Sequence, residues 1–346
     1  MRRLDTDRRK LRRQSALRGS AVCYSAEAWT LYNNYTKEFG VDIDMQEFWI
    51  LYLNRDEAYR TKRKGSEIPK IPKGMDLNFL SPKSELEEKI VALIHEWDAR
   101  KVSESEQELF KQAKRLADAE RKLAVKETKT ALNEQRIATN KVAQMKRWIA
   151  DAKRTRHNPE IDDRIFPDWY APVLIVENGK KIVRPMRYHC RPAGMDPSID
   201  RTKDGRVSGT YNARRDNLTR FWRKQFGYTH GLMLAETFYE QVDDGNGGSK
   251  EIHFQPRTGE TMFIACLWSH WIDPRGLLPD LYSYAAITDE PEPEVAAEGH
   301  DRTIINIKPE HAEAWLNPDP KNLDAMFAIF DDKRHPYYEV IERMAA

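Results

Sequence analysis

The sequence predicts an α+β protein with a mainly antiparallel β core, flanking helices and an inserted long α-helical hairpin. Residues 84–156 contain no glycine or proline, and their apolar positions recur at helical spacing. After Pro159, short β-rich runs are separated by turn signals. Strands and helices do not alternate as they do in a parallel βαβ protein, and this favours the α+β class.

The charge of the chain is unevenly distributed. The whole sequence has 57 basic and 55 acidic side chains and a formal net charge of +2. Residues 1–22 are rich in arginine and carry a surplus of positive charge, so residues 23–346 are net acidic. This balance excludes a purely electrostatic nucleic-acid binder. We expect residues 1–22 to be a disordered basic leader and residues 23–346 to form a single catalytic domain, interrupted by the hairpin at 84–156.

The first part of the domain has helical patterns. One begins at Cys23 and carries Trp29, Tyr32 and Tyr35 on neighbouring turns, and a second covers 45–59. Prolines and a glycine break residues 61–82, which we predict to be an irregular link.

Residues 84–156 predict two antiparallel helices with a narrow apolar seam. Ser103 and Glu106 have the spacing of a capping box, and Thr128 or Thr130 is a candidate N-cap after a reversal at 126–130. We favour a solvated coiled-coil insertion over a functional arm, because the charges are those of an exposed face.

The remainder predicts strands and a few helices. Asn178-Gly179 between two strand-like runs indicates a hairpin, and the glycines of 245–248 indicate another turn. The predicted strands are 173–177, 181–183, 252–255, 261–268 and 282–288, and the predicted helices are 309–316 and 322–330.

Common signatures of other protein classes are absent from the sequence. It has no glycine-rich phosphate loop, no HExxH and no cysteine and histidine set with zinc spacing, so we expect no metal and no organic cofactor. Its apolar stretches are too short to span a bilayer, which takes about 18–20 residues, so we expect no membrane association. Its three cysteines form no disulfide framework and favour the cytoplasm.

Seven short motifs occur in an order that resembles the SOS response-associated peptidase family, also called abasic-site processing proteins. They are Cys23-Tyr24-Ser25-Ala26, Pro185-Met186-Arg187-Tyr188, Tyr211-Asn212-Ala213-Arg214, Phe238-Tyr239-Glu240, Ala265-Cys266-Leu267-Trp268-Ser269-His270-Trp271, Ala286-Ile287-Thr288-Asp289 and His300-Asp301-Arg302. The resemblance extends from Cys23 to about Leu316, apart from the helical insertion. It implies the family's mainly antiparallel β core.

The resemblance also implies a DNA-damage protein of the SOS response. Members expose an amino-terminal cysteine and form a covalent thiazolidine with the opened sugar of an abasic site in single-stranded DNA. The α-amine of such a cysteine has a pKa of about 7.7–8.0, so much of it is neutral and nucleophilic near neutral pH. We therefore expect a cytoplasmic monomer, located at the nucleoid during DNA damage, whose partner is single-stranded DNA containing abasic sites.

Site residues follow from the match. Cys23 corresponds to the nucleophile, Asn212 to an asparagine that holds the amine or sugar, Glu240 to a base, and His300 to a general acid. Arg214 and Arg302 correspond to arginines of the family motifs that contact DNA phosphates. We infer two further DNA contacts: Arg187, which we expect in one basic groove with these arginines, and the ring of Tyr188, which can stack on a base. The chain has Tyr24-Ser25 after Cys23 where the family usually has Gly-Arg.

An internal Cys23 has no free α-amine, so the chemistry requires removal of the preceding residues. Cleavage between Val22 and Cys23 would supply the amine. So would translation from a GTG codon at Val22, which we favour, followed by loss of the initiator methionine.

Two alternatives remain open for the function. One is a cysteine peptidase that acts on its own leader through Cys23, Glu240 and His300. The other is a non-covalent module that binds single-stranded DNA or a partner and uses the helical hairpin as its arm.

Overall fold

The computed structural model describes residues 25–61, 67–243 and 249–342. The predicted leader, Cys23 and the predicted turn at 245–248 lie outside these ranges.

Thirteen strands of the described residues belong to one sheet, which helices cover on one side. The strands are β1 (Ser25–Ala28), β2 (Asp42–Ile43), β3 (Arg164–Ile165), β4 (Tyr170–Glu177), β5 (Lys180–Tyr188), β6 (Asn212–Arg214), β7 (His230–Asp243), β8 (Ser249–Pro256), β9 (Met262–Trp271), β10 (Leu281–Asp289), β11 (Thr303–Ile304), β12 (Asn306–Ile307) and β13 (Tyr338–Glu342). The helices are α1 (Tyr32–Phe39), α2 (Met45–Thr61), α3 (Lys73–Leu77), α4 (Glu85–Val125), α5 (Lys129–Ala152), α6 (Pro159–Asp162), α7 (Pro293–Ala297), α8 (Ala312–Leu316) and α9 (Leu323–Asp331).

Five strands of this sheet close into a ring in the order β4, β7, β9, β10, β5 and back to β4. Side chains alternate between the two faces of the ring, so Val173 and Ile175 belong to one apolar cluster and Leu174 to another. The Leu174 cluster packs against α1, α2, α8 and α9. The second cluster, which we call the strand-enclosed cluster, consists almost entirely of strand residues and contains Tyr188, Phe238 and Tyr284. The mainly antiparallel α+β prediction is confirmed.

The hairpin prediction is also confirmed, with the reversal where the sequence placed it. Thr128 is the N-cap of α5, and its side chain accepts a hydrogen bond from the Ala131 amide. The predicted capping box is wrong, because Ser103 and Glu106 lie inside α4, and α4 begins after Ser84, whose hydroxyl accepts from the Glu87 amide. The spacing of Ser84 and Glu87 is also that of a capping box, and the sequence analysis did not select it.

The hairpin is attached to the body near its open end. Arg100 of α4 pairs with Asp56 of α2, and the guanidinium of Arg55 lies 4.8 Å from the centre of the Trp97 ring. Ala138 and Met145 of α5 are buried in the seam between the two helices. Beyond residue 106, about 20 residues of each helix pack on one another, so the arm extends about 30 Å.

The strand β1 replaces the start of the first predicted helix. Residues 25–28 pair with β7 on one side and with β3 on the other, and α1 begins only at Tyr32. The predicted helix is present at 32–39, but the prediction began it too early in the chain. Residues 25–28 form a strand instead, because pairing with distant strands overrides the local pattern.

The other predicted elements are present, most of them longer than predicted. Asn178 and Gly179 connect β4 to β5 with positive φ angles of 52° and 74°, as a tight hairpin requires. In the described part of the chain, no helix is long and apolar enough to cross a membrane.

Candidate functional site

A carboxylate and an imidazole meet in the interior of the protein. Glu240 of β7 is completely buried, and its Oε2 lies 3.1 Å from Nε2 of His300, whose side chain is almost as deeply buried. His300 follows α7, and its amide donates to the Val295 carbonyl after a turn at Gly299, which has a φ of 85°. Loss of hydration lowers the pKa of His300 below its usual 6.5, although Asp301 opposes the shift. The imidazole is therefore neutral at pH 7.

The strand β1 brings the start of the described chain to this pair. Ser25 is paired with Tyr239, the residue before Glu240. Cys23 is outside the described residues and precedes Ser25 by two positions in the sequence. Cys23 is therefore close in the chain to a strand position beside Glu240.

An arginine that the sequence analysis missed anchors β1. Arg164 of β3 donates to Ser25 Oγ through Nε at 3.2 Å and through a terminal nitrogen at 3.0 Å. It also makes a bidentate ion pair with Glu251 and lies 4.0 Å from the centre of the Tyr239 ring. Arg164 therefore anchors Ser25, which stands where the resembling family usually has an arginine. Residues 25, 164 and 251 are far apart in sequence, so no local pattern could reveal them.

Asn212 lies in β6, beside Ala286 of β10, and is buried. The Tyr188 hydroxyl donates to Asn212 Oδ1 at 3.2 Å, and this contact orients the amide. Tyr188 belongs to the strand-enclosed cluster, and so does Phe238, which shares a strand face with Glu240. Asn212 and Glu240 therefore border one cluster.

Arg214 and Arg302 flank the end of β10. Arg214 is opposite Thr288, and Arg302 immediately precedes Thr303, which is opposite Asp289. Arg214 is half exposed and forms a bidentate ion pair with Asp216, whereas the Arg302 side chain is only 11% exposed. The pKa of Asp216 is lowered by its hydrogen bonds to Arg214 and by the nearby charges of Arg302 and Arg220. Arg220, which the sequence analysis did not select, is exposed.

Two of the predicted DNA contacts lie in the interior. Arg187 is 6% exposed, pairs with Asp200 at 2.8 Å and donates to the His189 carbonyl. Tyr188 is 3% exposed, and its ring stacks on Tyr284 with centres 5.3 Å apart. Both side chains are buried in this structure, where Tyr188 positions Asn212, and their contact with DNA stays a prediction.

The two other cysteines are unsuited to nucleophilic chemistry. Cys190 and Cys266 are fully buried, and burial raises the pKa of the Cys190 thiol to about 12 and that of Cys266 still further. Among the residues that the structure describes, no group of three or more histidine, cysteine or acidic side chains is arranged to hold a metal ion. The arrangement can therefore support proton transfer at Glu240 and His300, beside arginines able to bind an anion.

A protein-family model matches most of the chain. The model of the family described as SOS response associated peptidase (SRAP) matches residues 123–346. The matched region contains Asn212, Glu240 and His300 and leaves out β1 and most of α4. No curated protein matches the chain at a significant level.

Several solved structures are similar to part of the chain. A protein from Bordetella bronchiseptica is 17% identical, with a TM-score of 0.42, over 53% of this chain and 88% of its own. A protein from Bacteroides thetaiotaomicron is 14% identical, with a TM-score of 0.39, over 52% and 77%. A phage-related protein from B. bronchiseptica is 16% identical, with a TM-score of 0.40, over 53% and 81%.

Proposed function

Because the chain belongs to the SOS response associated peptidase family, which supports a DNA-damage-associated role, we propose that it binds single-stranded DNA at abasic sites and crosslinks to them. The bond is a thiazolidine formed by Cys23 once this residue is the amino terminus. The observation that carries the proposal is the buried contact between Glu240 and His300, next to the strand that begins two residues after Cys23.

The reaction joins the cysteine to the aldehyde of the opened sugar. The α-amine of Cys23 attacks C1′, and loss of one water gives an imine. The thiol sulfur then adds to the same carbon, and its proton goes to the nitrogen. The product is a five-membered ring, formed without an oxidant or a reductant.

The buried pair supplies the proton transfers. Glu240 accepts a proton from the α-ammonium, and this makes the amine nucleophilic. The neutral imidazole of His300, in contact with Glu240, relays the proton that Glu240 has accepted to the departing hydroxyl. Asn212, oriented by Tyr188, holds the opened sugar by hydrogen bonds.

Binding of the DNA backbone falls to an arginine surface, which consists of exposed Arg214 and Arg220 and the largely covered Arg302. Arg214 and Arg302 flank one strand end, and a phosphate can replace the carboxylate of Asp216 on Arg214. Arg220 adds a further exposed cation near the same carboxylate.

The direct test uses protein that begins at Cys23 and an oligonucleotide with one abasic site. A DNA adduct that survives heat and denaturant is expected for the wild type and not for Cys23→Ala. Cys190→Ala is the matched control, because its thiol is buried and protonated. An adduct that persists in Cys23→Ala would contradict the proposal.

A second candidate is a peptidase that cleaves its own leader. The word peptidase in the family description and the contact between His300 and Glu240 favour it. Intact mass of the full chain tests it: loss of residues 1–22 from the wild type and their retention in Cys23→Ala would support self-cleavage, and equal processing of both would exclude it.

A further inference from the structure

The helix α5 carries cations that the structure leaves without acidic partners. Its basic residues are Lys129, Arg136, Lys141, Lys146 and Arg147, all exposed. Among the described residues, none of the five makes an ion pair, although Arg136 donates to Asn133 and Lys141 to Gln144. The two acidic residues of α5 are already used, because Glu134 pairs with Arg115 and Asp151 with Arg154. The helix therefore presents uncompensated positive charge.

The neighbouring helix shows that this is not general for the hairpin. Most cations of α4 have carboxylate partners, the majority of them one turn away in the same helix. The pairs are Lys89 with Glu85, Lys101 with Glu104, Lys111 with Glu108, Arg115 with Glu134 and Arg121 with Asp118. Exposed Lys114 and Lys122 of α4 make no ion pair with a described residue. The contrast is therefore one of degree: most cations of α4 are paired, and none of the five on α5 is.

Three of the five cations of α5, Lys129, Arg136 and Arg147, lie opposite the seam, whereas Lys141 lies on the side of Glu108 of α4. Ala131, Ala138 and Met145 are buried at seven-residue intervals. On the side of α5 that faces away from α4, two rows of exposed residues repeat at the same seven-residue interval. One row is 129 and 136, and the other is 133, 140 and 147. These rows contain lysine, arginine and asparagine and no carboxylate. From 129 to 147 the helix rises about 27 Å, the length of about eight phosphates at the 3.4 Å spacing of one DNA strand.

The root of the arm is close to the reactive end of the chain. After α5, Arg154 binds the buried Asp162, and the Asp163 carbonyl accepts from the Ala28 amide at the end of β1. Ala28 follows Cys23 by five positions in the sequence. Exposed Trp148 lies near this root and adds an aromatic surface on which a base can stack.

We propose that the outward face of α5 binds the phosphate backbone of single-stranded DNA beside the lesion. The proposal rests on the proposed function for the identity of the nucleic acid, and on the charges of α5 for the surface. It makes the inserted hairpin a second, non-covalent DNA site that lengthens the contact beyond the reactive centre.

The test compares two variants of the full chain with the same change of charge. One replaces Lys129, Arg136, Lys141, Lys146 and Arg147 by glutamine. The matched control replaces the paired cations of α4, Lys89, Lys101, Lys111, Arg115 and Arg121, by glutamine. Both are measured against single strands of about 8 and about 30 nucleotides that carry a non-reactive abasic analogue, so that only non-covalent binding is observed.

The α5 variant is expected to bind the long strand at least about tenfold more weakly near 0.1 M salt. The slope of log affinity against log salt should fall by about 0.7 for each cation that contacts a phosphate. Binding of the short strand, and binding of both strands by the α4 control, should not change. Equal losses in the two variants, no loss in the α5 variant, or a preference for RNA of the same length would overturn the proposal.

The outcome is separable from the proposed function. Failure of the chain that begins at Cys23 to crosslink a short abasic strand would refute the chemistry. It would leave the affinity of α5 for long strands as an independent measurement.

Discussion

Replacement of Glu240 by glutamine isolates the chemical role of the buried pair. The substitution keeps the shape of the side chain and removes the carboxylate oxygen that can accept a proton. Because the pKa of His300 is lowered and the imidazole is neutral at pH 7, the change leaves no unpaired buried cation. We therefore expect thermal stability close to that of the wild type, whereas removal of a charged residue that a buried cation needed would be strongly destabilising.

The rate of crosslinking should respond much more strongly. A positioned general base contributes about 10²–10⁴-fold, which corresponds to about 3–5 kcal/mol of activation free energy. We expect a loss in that range, measured as the single-turnover rate of adduct formation at saturating abasic DNA with protein that begins at Cys23.

Glu236→Gln is the matched control. Glu236 lies on the same strand, four residues earlier, and accepts hydrogen bonds from Thr261 and Trp29. Its replacement should leave the rate unchanged. A wild-type rate in Glu240→Gln, or an equal loss in Glu236→Gln, would refute the assignment of Glu240 as the base.

Three further predictions concern stability and positioning. Burial lowers the pKa of His230 to about 3, so on acidification the unfolded state takes up a proton before the native state does. The free energy of unfolding should therefore fall between pH 6.5 and about 3, by about 2 kcal/mol at pH 5. Urea unfolding of His230→Gln should show a flatter dependence on pH over that range. Thr128→Ala should destabilise the hairpin by about 1 kcal/mol, whereas Ser103→Ala should not, as measured by thermal unfolding. Arg164→Met should slow crosslinking without weakening binding of a non-reactive abasic strand, because it frees β1 and leaves the arginine surface intact; Glu251→Gln, which keeps Arg164 on Ser25, should slow it less.

Local patterns predicted the elements that depend on local forces. The hairpin of α4 and α5 follows from helical spacing over 73 residues without glycine or proline, and the turn at Asn178 follows from backbone preference. The strand β1 was missed because its conformation depends on β7 and β3, which are remote in sequence. The long strand β7 was missed as well, because its continuous apolar run carries no alternation.

The site shows the same division. Motif order selected Glu240 and His300, which the structure brings into contact. It also selected Arg187 and Tyr188, but the sequence contains no signal for their burial against Asp200 and Tyr284, which depends on how strands pack. The anchoring role of Arg164 likewise became visible only when three distant segments met.

Cys23 is proposed to join DNA through both its nitrogen and its sulfur. The most direct measurement is mass spectrometry of the crosslinked peptide, made from protein that begins at Cys23 and digested after treatment with borohydride. We predict an amino-terminal peptide that carries the sugar on Cys23, with a mass equal to that of the peptide plus the sugar less one water, and unchanged by borohydride. A reduced lysine conjugate, or a sugar attached to any other residue, would contradict it.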